Sequence, residues 1–219
     1  ILSNSLFGQK YHFTYYNSND GLPSDLVKAS AIDNEGFVFV ATDNGLATFD
    51  GTNFTSYPNL TTSRYIKHIK RTIASGLLVS DDQGVSIVYP NKDQTKSTLL
   101  RKGGVHKHPN TLWYPKLIFE DDLKRVWLTD NNDIYAYEDN KLKPYKTGIT
   151  KIPENVQRSF IITSDGYGNL FAFFESGGVF KLDEKTKTFV PILTKLGDTK
   201  FHYAASFKKG EILVCGNQG

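Results

Sequence analysis

A unit of about 43 residues returns along this chain, and that repeat limits the possible folds more than any other feature. The clearest copy spans 27–57. Val27 to Asp33 leads to a turn, Asn34-Glu35-Gly36, and then to an apolar run from Phe37 to Thr42. Asp43-Asn44-Gly45 follows, then Leu46 to Phe49, Asp50-Gly51, and Asn53 to Tyr57. The middle of this unit recurs at Leu77–Val85, Arg125–Ile134, Asn169–Val179 and, in part, Gly210–Gly219. With Gly45, Gly84, Asp133, Gly178 and Gly219 taken as equivalent, the spacings are 39, 49, 45 and 41 residues. Each unit reads as four short strands divided by turn residues, with Asn-Gly and Asp-Gly pairs suited to tight hairpins.

Four strands per unit at this period point to a β-propeller, an all-β fold of four-stranded blades. No stretch shows the 3.6-residue periodicity that helical repeats of similar length require. The second run of each unit is apolar on both faces, as expected of a strand sandwiched between neighbouring blades. Aromatic residues reach 13% of the chain. Phe37, Phe39, Phe49, Phe54, Trp127, Phe171, Phe173 and Phe180 are expected to fill the layers between blades.

The units lie at about 27–57, 64–91, 112–145, 157–192 and, incomplete, 201–219, and 1–219 is read as a single propeller segment. Residues 11–16, Tyr11-His12-Phe13-Thr14-Tyr15-Tyr16, resemble a stray outer strand that would close a ring. The fifth unit would still lack a third strand. With no methionine in the chain, these residues are expected to be the N-terminal part of a larger propeller. A closed five-bladed ring is the alternative.

Composition excludes several classes. A net charge of +3 over 219 residues does not mark a nucleic-acid binder. One cysteine, Cys215, permits neither an internal disulfide nor a cysteine-based zinc site, and its strand-like setting predicts burial. No apolar run approaches the length of a membrane helix, so no membrane contact is expected of this segment.

The residues Gly21-Leu22-Pro23-Ser24-Asp25-Leu26-Val27, Ile32-Asp33-Asn34-Glu35-Gly36, Phe37 to Thr42 and Asn44 to Gly51 together resemble the two-component regulator propeller repeat. The first unit departs from that pattern at Phe39, where the family commonly has tryptophan, and Trp127 supplies it in the third unit. The second and fourth units are degenerate. The resemblance implies the periplasmic sensor region of a membrane-anchored histidine kinase or hybrid two-component system. It also implies an oligosaccharide or other extracellular cue, and downstream signalling domains in the same chain. A homodimer through propeller faces is the partner expected if the chain is an interaction scaffold.

Enzymatic signatures are weak. Asp43, Asp50, Asp81, Asp82, Asp130, Asp139, Asp165 and Asp183 all sit at turns, where Asx geometry accounts for them. Asp33-Asn34-Glu35-Gly36 and Ser164-Asp165-Gly166 miss the spacing of a sialidase-type aspartate box, and neither a nucleophile elbow nor a phosphate loop is present. His106-Lys107-His108 lacks a third metal ligand, so neither metal, cofactor nor catalytic residue is expected. The stretch 91–110 is read as a solvated insertion, with Lys92, Lys96, Arg101, Lys102 and Lys107 as a possible anion-binding lip.

Binding sites on propellers lie at a mouth of the central channel, on the connections into the innermost strands. Those connections carry Asp25, Arg64, Tyr65, Trp113, Tyr114, Arg158, His202 and Tyr203. Aromatic faces stack on sugars and arginine forks hold carboxylates or sulfates. The function that the resemblance implies is ligand sensing. The alternatives are a propeller lyase or sialidase-like enzyme, and an interaction or dimerisation scaffold.

Overall fold

The computed structural model describes residues 12–72, 76–91, 94–104, 111–131, 133–149, 160–175, 177–193 and 199–217. Among these, one short 3-10 turn (Ser18–Asp20) precedes eighteen strands. Blade 1 comprises β1 (Val27–Ile32), β2 (Val38–Thr42), β3 (Gly45–Phe49) and β4 (Phe54–Tyr57). Blade 2 comprises β5 (Ile66–Arg71), β6 (Leu77–Asp81), β7 (Gly84–Tyr89) and β8 (Lys96–Lys102). Blade 3 is β9 (Pro115–Glu120), β10 (Val126–Asp130), β11 (Asp133–Glu138) and β12 (Lys141–Thr147). Blade 4 is β13 (Phe160–Ser164), β14 (Leu170–Phe174), β15 (Gly178–Asp183) and β16 (Thr188–Leu193). The fifth unit contributes β17 (Phe201–Lys208) and β18 (Glu211–Gly216). Every blade is an antiparallel meander, and the inner strands β1, β5, β9, β13 and β17 lie side by side in chain order. The fold is the all-β propeller expected from the repeat.

Burial explains why the second strands are rich in apolar residues. β6 and β10 are buried at every position, and β2 and β14 at four of five. Both faces of these strands meet neighbouring blades, so the core is a set of layers between blades. Blades 1 and 2 enclose Phe39, Leu46, Ile66, Leu77 and Val79. Blades 2 and 3 enclose Leu78, Ile87, Ile118, Leu128 and Leu142. Blades 3 and 4 enclose Trp127, Tyr145, Phe160, Phe174 and Phe189. Each fully buried aliphatic side chain stabilises by roughly 2 kcal/mol before its ordering entropy is counted. Phe173 packs edge-on against Phe201 between the last two units, and Phe37, Phe49, Phe54 and Phe171 are only half-buried.

The hairpin joining the first and second strands repeats at atomic detail. Asp33 Oδ1 accepts from the N–H groups of Glu35 and Phe37, both at 2.9 Å. Asp121 Oδ1 does the same for Leu123 and Arg125, and Asp165 Oδ1 for Tyr167 and Asn169. Gly36 turns the chain at a φ of 92°, a conformation that favours glycine.

Three details differ from the sequence expectation. Blade 2 ends with β8, beyond residue 91, because an outermost strand exposed on both faces needs no apolar alternation. Residues 12–17 form no strand; a closing strand would pair with a third strand, and the fifth unit here has β17 and β18 alone. Tyr16 instead packs its ring on Phe49 and Phe54. Cys215 is exposed, since β18 pairs only with β17.

Candidate functional site

The inner strands start at one level. Val27 pairs with Thr42, Ile66 with Asp81, Pro115 with Asp130, Phe160 with Phe174 and Phe201 with Gly216. The next position on each strand holds Lys28, Lys67, Lys116, Ile161 and His202. In four strands the register slips here: at Lys28, at Lys67, across 116–117, and at His202. β13, which carries Ile161, stays regular. A bulge leaves one residue unpaired and re-aims its side chain. The four bulged strands thus present a basic residue at this level, and the regular strand an apolar one.

Strands β5, β9, β13 and β17 wall a cavity of about 540 Å³, within the range of small-molecule sites. Phe119, Phe160 and Phe201 supply apolar wall, while Lys67, His68, Lys116, Thr163, His202 and Tyr203 supply polar groups. Three buried atoms on these residues have no hydrogen-bond partner among the described residues: Lys67 Nζ, His68 Nδ1 and Thr163 Oγ1. Buried polar groups are nearly always satisfied, and an unsatisfied one costs about 1–3 kcal/mol. Among the described residues two other side-chain atoms share this state, Asp43 Oδ1 and Arg125 Nη2, so three of those five meet at one cavity.

Electrostatics follow from burial. Desolvation pushes the Lys67 ammonium down to about 8, against the opposing fields of Asp82, Asp81 and Asp130 and alongside the like charge of Lys116. The Lys67 Nζ lies 3.2 Å from the centroid of the Tyr114 ring, which supplies cation–π stabilisation in place of a hydrogen bond. Burial, with help from Lys70, holds His68 down to about 4, so its imidazole is neutral at pH 7. Burial also raises the Asp81 carboxyl, opposed by backbone N–H groups from Gln83 and Ser63.

Two of these carboxylates, Asp81 and Asp130, hold the incoming connections. Asp130 accepts the N–H of Trp113 at 2.8 Å and the N–H of Tyr114. Asp81 accepts from Ser63 at 3.1 Å. The turn aspartates therefore divide in role. Asp50, Asp165 and Asp183 make Asx turns, whereas Asp130 ties a connection in place and Asp139 pairs with Lys143 at 2.6 Å.

The residues singled out from sequence scatter. Tyr114 covers Lys67 and Trp113 is its exposed neighbour. His202 and Tyr203 line the cavity from within β17, not from its connection. Tyr65 faces Lys28, whose Nζ lies 5.2 Å from its ring. Arg64 lines a smaller hollow with Pro23 and Tyr57. Asp25 accepts the N–H of Ser18 at 2.6 Å and so fastens the leading turn. Arg158, like His106 and His108, lies outside the described residues. Of the basic lip, Lys96, Arg101 and Lys102 belong to β8, where Arg101 donates to the Leu142 carbonyl at 2.9 Å, and Lys92 and Lys107 lie outside the described residues. No group of three metal-ligating side chains occurs among the described residues. Lys67, His68, Lys116 and Thr163 escaped sequence reasoning. Aligning the second position of each inner strand would have found the lysines.

No family model matches the chain, and no curated protein matches it. Solved structures do share its fold. The extracellular domain of a one-component system from B. thetaiotaomicron superposes with a TM-score of 0.66 at 19% identity, covering 89% of this chain and 26% of that chain. The virginiamycin B lyase of Staphylococcus aureus, bound to quinupristin in an inactive form, gives 0.65 at 12% identity, covering 96% and 68%. A streptogramin B lyase gives 0.60 at 18% identity, covering 86% and 61%. The chain spans about a quarter of the first of these. At such identities the likeness establishes a propeller and no more.

Proposed function

We propose that this chain is the ligand-sensing propeller region of an extracytoplasmic receptor of the two-component regulator type. Its cavity takes a small polar cue, with an oligosaccharide as the favoured class, and ligand binding biases the packing of β17 and β18 toward downstream signalling domains of the same chain. The observation that carries this reading is the convergence of Lys67 Nζ, His68 Nδ1 and Thr163 Oγ1, all buried and unpartnered, on one 540 Å³ cavity. Unsatisfied polar atoms beside apolar wall are what a polar ligand can meet with gain. The resemblance of the first repeat to sensor propellers, and the shared fold of an extracellular domain, support the location. A ligand acts as a signal only if it distinguishes two states.

Calorimetric titration of the full chain with a panel of neutral and acidic oligosaccharides tests this. Saturable binding by at least one sugar, weakened about tenfold in His68→Phe, is expected. Binding that ignores cavity substitutions removes the assignment. Lyase propellers share the fold, so the same panel is assayed for turnover; products whose release depends on His68 would make the chain an enzyme.

A further inference from the structure

We infer that the cavity ligand is anionic, a saccharide bearing a carboxylate or sulfate group held between Lys67 and Lys116 with His202 at the same level. This rests on the sensing assignment and adds the chemical class. The geometry behind it is the set of bulges. A register slip at the second position of an inner strand occurs in β1, β5, β9 and β17, and the residues there are Lys28, Lys67, Lys116 and His202. The last three line the cavity. Two ammonium groups from adjacent strands repel one another, and a bridging anion removes that repulsion.

Four carboxylates at or near the cavity have other tasks. Glu120 pairs with Lys124 at 3.0 Å, and Asp122 accepts the N–H groups of Gly166 and Gly168. Asp81 and Asp130 hold the incoming connections. Glu175 sits on the β14–β15 connection. Lys67 Nζ consequently keeps its donors, covered by the Tyr114 ring alone among aromatic groups. An arriving anion turns that ring aside. Trp113, the neighbour of Tyr114, is exposed, whereas Trp127 is fully buried, so a change in tryptophan fluorescence on binding reports this movement.

The test uses the full chain with trigalacturonate and its fully methyl-esterified form, and with a sulfated chondroitin disaccharide and its neutral counterpart. Esterification or desulfation with carboxyl reduction removes charge and leaves the sugar. Whichever anion the cavity prefers, the charged form is expected to bind at least about tenfold more tightly than its neutral form, with affinity falling as salt rises. Loss of chondroitin disaccharide binding on desulfation alone marks sulfate as the held group, and loss on carboxyl reduction alone marks the carboxylate. Lys67→Gln and Lys116→Gln are each expected to weaken binding about fivefold to tenfold, and Lys67→Arg to restore most of it. Lys116→Gln and His202→Gln change exposed positions, so the result stands even if the Lys67 variant folds poorly. Equal affinity for charged and neutral forms overturns the anionic class and leaves sensing intact. No binding of either charged form up to about 10 mM also overturns it, while the neutral panel judges sensing separately.

Discussion

Two places in this propeller treat buried polar groups in opposite ways. At the junction of blades 3 and 4, Asp121 is saturated. It accepts from Leu123 N, from Arg125 N and Nε, and from Trp127 Nε1, the last two at 2.7 and 2.9 Å. Arg125 continues to Glu184 at 2.8 Å, which ties blade 3 to the β15–β16 hairpin of blade 4. At the channel cavity, Lys67, His68 and Thr163 bury polar atoms that have no hydrogen-bond partner among the described residues. The first arrangement stabilises the blade interface. The second lowers stability and leaves donors and acceptors for something else, as binding sites commonly do. The difference predicts opposite signs for substitutions in the two regions.

The largest effect is expected at the saturated junction. Asp121→Ala strips four donors of their acceptor, leaves the buried Trp127 indole N–H unmatched and leaves the Arg125 guanidinium with Glu184 alone. A loss of about 3–5 kcal/mol in urea unfolding is expected. A loss below about 1 kcal/mol would show that the network is not what joins blades 3 and 4.

His68 comes next, through pH. Its folded pKa, about 4, lies below the ordinary 6.5, so the folded state resists a proton that the unfolded chain accepts. Stability is therefore full above about pH 6.5 and falls as pH drops toward 4, by an amount on the order of 2 kcal/mol after allowance for partial exposure. His68→Phe is expected to flatten that segment of the stability–pH curve. An unchanged slope would mean that other groups carry it.

Lys67 has the same sign on the alkaline side. With a folded pKa near 8 against 10.5, stability rises between those values as the unfolded chain alone stays protonated. Lys67→Met is expected to gain on the order of 1 kcal/mol at pH 7, since the lost cation–π contact with Tyr114 offsets part of the relief. A loss of stability instead would place Lys67 with Asp121 among the stabilising groups and dissolve the contrast.

The architecture was legible from sequence because burial and turn chemistry write themselves into it. β10 opens on the apolar run Val126-Trp127-Leu128, Trp127 marks the blade interface, and Asp33 precedes a glycine that turns the chain. The cavity was much less legible. A bulge leaves no mark in residue type, so Lys67 and Lys116 read as solvated lysines near a strand end. His68 reads as any histidine, and only the fold shows it lining the cavity with its Nδ1 buried. Aromatic and arginine residues drew attention to the connections, yet Asp25 holds a turn and Tyr65 faces Lys28. Of that group only Tyr114, His202 and Tyr203 stand at or beside the cavity, and two of them do so from a strand.

The smallest expected effect is the sharpest form of the comparison, because one substitution is made twice. Thr129 and Thr163 are both buried threonines, each 1% exposed. Thr129 Oγ1 accepts the N–H of Leu117 at 3.2 Å and helps to hold β9 at its bulge. Thr163 Oγ1 has no such partner. Valine has nearly the same shape but no hydroxyl. Thr129→Val strands the Leu117 N–H and is expected to cost about 1 kcal/mol, whereas Thr163→Val removes an unsatisfied group and is expected to be neutral or to gain up to about 1 kcal/mol. Parallel urea titrations of the two variants read the difference. If both lose stability alike, Thr163 is bonded in solution, and the cavity offers a ligand one donor fewer. If only Thr129→Val loses, the cavity keeps an open hydroxyl for a sugar oxygen or an anion, beside the ammonium that Tyr114 covers.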